Sequence, residues 1–115
     1  MMIAEKEGFP MLECCDAALI FKAMSDETRL KIIDMLSCDE LCACTILEDF
    51  KITQPTLSYH MKILTECGLV NARKDGAWTR YTLNMELIAD IKLFLERISS
   101  DKEDCICRGN ETCRL

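Results

Sequence analysis

The 115-residue chain has a single histidine, His60, and no long apolar run. With one histidine, the sequence offers no evident set of nucleophile, base and orienting group, so we do not expect an enzyme. No stretch approaches the roughly 18 apolar residues that cross a bilayer, so no membrane partner is expected. The first ten residues carry charge where an export signal would be apolar, which predicts a cytoplasmic protein. The length predicts one domain, without internal repeats or low-complexity segments.

Charge is distributed unevenly along the chain, whose formal net charge is −6. Residues 51–81 contain five basic and two acidic residues, so this stretch has a net charge of +3 and the remainder has −9. Salt screens charges more than about 8 Å apart at physiological ionic strength, so a locally basic element on an acidic protein can still bind phosphates. We therefore expect weak binding to non-specific DNA and a dependence on specific contacts.

Nine of the residues are cysteines. An odd number of cysteines in a chain without an export signal does not indicate a disulfide framework. Reduced thiols in the cytosol are instead candidate ligands for a soft metal or metalloid ion. The sequence therefore predicts a thiol-rich site for such an ion.

Residues 52–68 predict a short helix with one apolar and one polar face. Thr53 can cap its first turn, which tolerates Pro55, and Gly68 can adopt the left-handed conformation that ends a helix. The apolar face, spaced at four- and three-residue steps, consists of Leu57, Met61 and Leu64. The polar face, which can offer groups to base edges and phosphates, consists of Gln54, Ser58, Tyr59 and Lys62.

A pair of short strands is predicted after this helix, in residues 69–83. Asp75-Gly76 lies between two β-prone runs and is a strong signal for a hairpin turn. A helix with a polar face followed by a basic hairpin is the order of a winged helix-turn-helix, in which the hairpin is the wing. The expected fold class is therefore mainly α with a small β-hairpin.

Four more helices are predicted at residues 11–24, 26–36, 40–48 and 85–99. Ser25 or Asp26 can cap the second of these, and Asn84 can cap the last. The expected apolar stripes comprise Leu12, Cys15, Leu19 and Met24 on the first helix, Leu30, Ile33 and Leu36 on the second, and Leu87, Ile91, Phe94 and Ile98 on the last.

The first and last helices have more apolar surface than a small core needs. We therefore expect them to form a twofold dimer interface, the alternative being that both close the core of the monomer. On this prediction residues 1–10 are an N-terminal arm, residues 11–100 are the winged helix-turn-helix domain with its dimerisation helices, and residues 101–115 are a cysteine-bearing C-terminal tail.

Two runs of sequence, SDETRLKIIDMLSCDELCACTIL and ITQPTLSYHMKILTECGLVNARKDGAWTRYTLN, resemble the ArsR/SmtB family of metal-sensing bacterial repressors. The resemblance covers about residues 18–84. It implies a homodimeric winged-helix repressor that binds a twofold operator without a cofactor and leaves it when an inducer binds. The resemblance also implies that residues 53–67 are the recognition helix and that the wing centres on residues 74–77.

The resemblance assigns a candidate metal site to residues 40–44, ELCAC, which match the family's ELCVC motif. In arsenite-responsive members both thiols of this motif, here Cys42 and Cys44, bind the metalloid, often with a third cysteine three residues further on. That position is Leu47 here, so the third ligand must come from elsewhere. Two such residues on a regular helix are rotated by roughly 200°, so their sulfurs point apart unless the start of the helix bends or unwinds.

The remaining cysteines fall into groups with different expected roles. Cysteines of the N-terminal region complete the site of the other subunit in some family members, so Cys14 and Cys15 are candidate ligands, with packing in the first helix as the alternative for Cys15. A three-thiol cluster near the C-terminus occurs in another branch of arsenic-sensing members. On that basis the expected secondary ligands are Cys105, Cys107 and Cys113. The alternative is that these three cysteines belong to a free tail. Cys38 is a reserve ligand, and Cys67 is expected to pack. Zinc-sensing members use histidine on the last helix, which has none here, so no zinc site is expected there.

Candidate DNA contacts lie on the recognition helix and the wing. Residues expected to contact bases or phosphates are Gln54, Thr56, Ser58, Tyr59, Lys62, Arg73, Lys74 and Arg80. A solvated surface residue is the alternative for each charged one. His60 is expected to be structural, and Trp78 and Tyr81 are expected to pack the wing onto the body.

The favoured hypothesis is a homodimeric repressor that leaves operator DNA when its thiolates bind arsenite or antimonite. Three thiolates suit trivalent arsenic or antimony, whereas four would suit cadmium or lead, the alternative inducers. A second hypothesis is a redox-responsive regulator with a disulfide inside the tail, or between Cys14 or Cys15 and another chain. A third is a thiol-rich metal carrier that no longer binds DNA.

Overall fold

The structure, a computed structural model, describes residues 12–100. In this range five helices and a three-stranded sheet follow one another in the order α1 Cys14–Met24, α2 Glu27–Leu36, β1 Leu41–Cys42, α3 Ala43–Glu48, α4 Gln54–Glu66, β2 Val70–Asp75, β3 Trp78–Leu83 and α5 Met85–Ser99. The fold is mainly α with a small β-hairpin, as predicted. The predicted arm (1–10) and the tail (101–115) with Cys105, Cys107 and Cys113 lie outside the described residues.

Side chains cap α2, α4 and α5 where the sequence predicts caps. The Asp26 carboxylate accepts a hydrogen bond from the backbone N–H of Arg29 at the start of α2. The hydroxyl of Thr53 accepts from the N–H of Thr56 at the start of α4. Asn84 accepts from two N–H groups of the first turn of α5. These bonds satisfy backbone donors that have no partner inside a helix, so they define where each helix begins.

The hairpin of β2 and β3 is the predicted wing, with its turn displaced by one residue. Asp75 pairs with Trp78, so the two-residue loop is Gly76-Ala77 rather than Asp75-Gly76. Gly76 has a φ of +64°, a conformation that glycine adopts without strain.

A third strand, β1, was not predicted. Residues 41–42 were expected to be helical, but they pair with the free edge of β3, with Leu41 opposite Tyr81 and Cys42 opposite Arg80. The helix therefore begins only at Ala43. The pairing satisfies backbone groups on both strands, and this non-local gain outweighs the local helical preference.

The core lies under the apolar face of α4. Leu57, Met61 and Leu64 are at most 2% exposed, as the periodicity predicts. On α2, however, Leu30 is 48% exposed, and the buried residues are Ile32, Ile33 and Leu36. The prediction for Leu30 is wrong because the helix is rotated to bury Ile32, which is fully enclosed.

The first and last helices keep apolar side chains on their surfaces. On α1 the buried residues are Ala17, Ile20 and Ala23, whereas Cys15 and Leu19 of the predicted stripe are exposed. On α5 the buried residues are Ile91 and Phe94, both in the predicted stripe, and the exposed apolar residues are Leu93, Leu95 and Ile98. Of the helices in residues 12–100, none combines the length and apolar character that crossing a membrane requires.

Candidate dithiol site and DNA-binding surface

Cys42 and Cys44 lie side by side. Cys42 ends β1 with an extended backbone (φ −88°, ψ 161°), and Cys44 lies in the first turn of α3. Their Sγ atoms are 2.8 Å apart. The expectation that the two sulfurs point apart is wrong, because it assumed a regular helix through both residues. The change from strand to helix at Cys42 brings the thiols together without any unwinding.

The two thiols differ in acidity. A hydrogen bond from the Cys44 thiol, and then one from the Thr45 hydroxyl at 3.2 Å, lower the pKa of Cys42 to about 7. The same contact with Cys42 raises the pKa of Cys44, since it stabilises the protonated form of that thiol. Near neutral pH Cys42 is therefore partly a thiolate, the form of cysteine that attacks electrophiles and binds soft ions.

No third ligand joins this pair in residues 12–100 of one chain, where no three His, Cys, Asp or Glu side chains gather to hold a metal ion. Cys14, Cys15 and Cys38 are exposed elsewhere on the surface. Cys67 is half-buried against the core and its thiol donates to the carbonyl of Leu64 at 3.4 Å, so the packing role predicted for it is confirmed.

A pocket of about 330 Å³ opens beside Cys44, between α3, α4 and the wing. Its lining includes Cys44, Leu47, Met61, Trp78 and Tyr81. Tyr81 packs against the core, as predicted, and burial raises the pKa of its hydroxyl. Trp78 is 53% exposed, so its packing onto the body is only partial. Sequence reasoning missed this pocket because the wing, which is distant in the chain from α3 and α4, forms one of its sides.

The polar face of α4 is exposed along its length, at Gln54, Ser58, Tyr59 and Lys62. Thr56 is also exposed, next to the capping Thr53. His60 is half-buried, and its Nδ1 accepts a hydrogen bond from Arg29 Nη1 at 3.1 Å. Because a guanidinium can only donate, this contact places the imidazole proton on Nε2. Arg29 also donates to the carbonyl of Ala23, so His60 ties α4 to the α1–α2 turn, as expected of a structural histidine.

The arginines of the wing are already paired with carboxylates. Arg73 contacts Glu40 at 2.8 Å, and Arg80 Nε contacts Asp75 at 2.9 Å. The second contact lowers the pKa of Asp75 and raises that of Arg80. Such exposed pairs contribute on the order of 0–1 kcal/mol, so a DNA phosphate can replace either carboxylate. Lys74 is exposed and has no carboxylate within salt-bridge distance in the described part of the chain.

Comparisons with known proteins identify this architecture. A family model described as "Bacterial regulatory protein, arsR family" matches residues 26–72, from the cap of α2 to β2. The arsenical resistance operon repressor of Staphylococcus aureus is 46% identical over 94 residues, which are 82% of this chain and 90% of that protein.

Solved structures with this fold include regulators from two other bacteria. HlyU from Vibrio cholerae is 37% identical, with a TM-score of 0.62 over 74% of this chain and 92% of that one. An ArsR-like transcriptional regulator from Rhodococcus is 30% identical, with a TM-score of 0.66 over 73% of this chain and 79% of that one. The residues that the family model matches include the thiol pair and the recognition helix. The chain belongs to the ArsR family of bacterial regulators and is a winged helix-turn-helix transcriptional repressor that binds operator DNA, not an enzyme.

Proposed function

We propose that this repressor is released from its operator when Cys42 and Cys44 bind trivalent arsenic or antimony. The 2.8 Å separation of their sulfurs carries the proposal. Two adjacent thiols, one of them partly ionised near neutral pH, are suited to a soft electrophilic ion. The similarity to an arsenical resistance operon repressor supports the same class of inducer.

A third thiolate for inorganic arsenic then comes from outside the described chain segment or from a second chain. The first source is the tail with Cys105, Cys107 and Cys113. The second is Cys14 or Cys15 of the partner subunit in a homodimer. The exposed apolar residues of α1 and α5 support a twofold interface through those helices, since they give each chain a surface to bury.

The surroundings of the thiols support a coupling to DNA binding. Cys42 lies opposite Arg80 in the ladder between β1 and the wing. Cys44 shares its pocket with Gln54 and Ser58 of the recognition helix. An ion that draws the two sulfurs onto itself acts on both elements at once, and by linkage DNA binding and ion binding then oppose each other.

Titration of the reduced, full-length protein with arsenite, measured by fluorescence anisotropy on DNA from upstream of its own gene, tests this proposal. We expect loss of operator binding on addition of arsenite. Cys42→Ser and Cys44→Ser should bind the operator and fail to respond, whereas the matched control Cys38→Ser should respond normally. Unchanged operator binding by the reduced protein in arsenite or antimonite contradicts the proposal. Release by cadmium or lead alone would identify one of those ions as the inducer instead.

Thiol oxidation is a second candidate signal, favoured by the same sulfur separation. The Sγ atoms of Cys42 and Cys44 lie 2.8 Å apart, so this pair is a candidate for a disulfide besides the tail or intersubunit pairings expected from the sequence. Hydrogen peroxide converts two thiols to a disulfide with release of two waters. Operator release by peroxide in a metal-free buffer, with a mapped Cys42–Cys44 disulfide, would identify this signal, and a fully reduced peptide map after treatment would eliminate it.

A further inference from the structure

The recognition helix α4 stands between two grooves. On the wing side, the pocket beside Cys44 separates Gln54 and Ser58 from Trp78. On the opposite flank, a second groove of about 440 Å³ lies between α4, the end of α1 and the start of α2, and we call it the α1 groove. Tyr59, which is 61% exposed, lines the α1 groove. The polar face of α4 is therefore a ridge with a groove along each side.

The dimensions of DNA explain why both sides of such a ridge matter. The major groove of B-DNA is about 12 Å wide, and an α-helix with its side chains is about 10–12 Å across. A helix that enters the major groove therefore has a sugar–phosphate backbone close to it on each side. The two grooves beside α4 lie where these backbones have to pass, so the α1 groove faces phosphates rather than base edges.

Arg29 supplies a fixed positive charge to the lining of the α1 groove. It donates from Nε to the carbonyl of Ala23 at 2.6 Å and from Nη1 to Nδ1 of His60 at 3.1 Å. His60 follows Tyr59 in α4, so these two bonds hold the guanidinium beside the exposed ridge. Because a guanidinium is not deprotonated in proteins, its charge is present at any physiological pH.

Lys22 lines the same groove from the last turn of α1. Its side chain is exposed and, in residues 12–100, has no carboxylate within salt-bridge distance. The carboxylate in the lining belongs to Glu66, which follows Tyr59 by seven residues and so lies about 10 Å farther along α4. The end of the α1 groove beside Tyr59 therefore favours an anion.

We infer that the α1 groove receives a phosphate of the operator backbone, and that Lys22 binds this phosphate with the guanidinium of Arg29 behind it. Lys22 lies on α1, outside both the helix-turn-helix and the wing, so the DNA-binding surface is wider than these two motifs. In the proposed dimer α1 lies at the twofold interface, so the phosphate belongs to the DNA between the two half-sites. A phosphate contact adds affinity for any sequence and does not discriminate between sequences.

Fluorescence anisotropy of the reduced, full-length protein on operator and random duplexes, at a series of salt concentrations, tests this inference. Lys22→Ala should lower the affinity about fivefold, by the same factor for both DNAs. The slope of log affinity against log salt concentration should decrease in magnitude by about 0.9 per chain. Lys22→Arg should retain the affinity and the slope of the parent. The matched control Lys92→Ala removes another exposed lysine, on α5, and should change neither quantity.

Uncharged methylphosphonate groups, placed in the operator one position at a time, locate the contact. At one position between the half-sites, the methylphosphonate should weaken binding by the parent and by Lys92→Ala. It should weaken binding by Lys22→Ala much less, because the lysine charge that this phosphate attracts is already absent. At every other position the three proteins should lose affinity equally, which separates a direct contact from a general effect on folding.

Three results would each overturn the inference. Parental affinity and salt slope in Lys22→Ala would show that no phosphate enters the α1 groove. A loss of affinity for the operator but not for random DNA would show a sequence-dependent contact instead of a backbone contact. Weaker binding with the salt slope and every methylphosphonate effect of the parent would show that Lys22 acts only through the fold. None of these results bears on release by arsenite, so the proposed function is tested separately.

Discussion

The thiols of Cys42 and Cys44 are chemically unequal although they are two residues apart. Cys42 accepts hydrogen bonds from the Cys44 thiol and the Thr45 hydroxyl, which lower its pKa to about 7 and leave Cys44 protonated. At the scale of single residues, this difference in pKa gives the two thiols different roles in binding a soft electrophile. In the proposed function the Cys42 thiolate would attack the arsenic atom first, and the proton of Cys44 would leave with a displaced hydroxide as water.

Alkylation of Cys42 by iodoacetamide should therefore depend on pH with a midpoint near 7. Because the pKa is lowered, the thiolate predominates above this midpoint, and the rate falls as the pH decreases through it. Cys44→Ala removes the main hydrogen-bond donor and should move the midpoint upward, whereas Cys44→Ser, which keeps a donor, should move it less. The rates are measured by peptide mass spectrometry. Equal midpoints for the parent and Cys44→Ala would contradict the assigned cause.

Asn84 acts at the scale of elements, because it joins the end of one helix to the start of another. Its side-chain oxygen caps α5, and its Nδ2 donates to the carbonyl of Gly68 at 2.9 Å, just after α4. Gly68 itself has a φ of +90°, which ends α4 and turns the chain into β2. One side chain therefore sets the positions of the recognition helix and of α5 relative to each other.

Asn84→Ala should lower the free energy of unfolding by about 1–2 kcal/mol, since it leaves two N–H groups and one carbonyl without their partner. Asn84→Ser is the matched control, because its hydroxyl can still cap α5 while its shorter side chain loses the bond to Gly68. Its loss should be smaller. Urea denaturation followed by circular dichroism measures both, and an alanine variant as stable as the parent would show that water replaces these bonds.

Local patterns predicted α4, the wing and α5, since caps, turn residues and apolar periodicity act within a few residues. They did not predict β1, because its pairing with β3 joins residues about 40 positions apart. The adjacency of Cys42 and Cys44 depends on that pairing and was missed with it. Leu30 was misplaced because the adjacent Ile32 and Ile33 allow more than one rotation of α2, and packing decides between them.

The apolar residues left exposed on α1 and α5 are a property of the whole molecule. Leu19 is 66% exposed and Ile98 is 58% exposed, although both belong to the stripes predicted from the sequence. A chain of this size gains stability by burying such residues against a second copy. The proposed dimer also places two recognition helices at a fixed separation, as a twofold operator requires.

Leu19→Lys and Ile98→Lys should each dissociate the dimer and weaken operator binding, because a lysine charge is costly to bury in an apolar interface. Sedimentation velocity gives the oligomeric state, and anisotropy gives the affinity for DNA. Leu30→Lys is the control, since Leu30 is also an exposed leucine but lies on α2. If Leu19→Lys and Ile98→Lys both sediment like the parent, the interface lies elsewhere.

Because β1 is only two residues long, a bound ligand can separate it from the wing at little energetic cost. Only residues 41 and 42 pair with the wing, so few hydrogen bonds hold β1 against β3. Each contributes about 1 kcal/mol, and water can replace them at this sheet edge. A ligand that displaces Cys42 therefore has to break only these few hydrogen bonds to separate β1 from the wing, without disturbing the buried core.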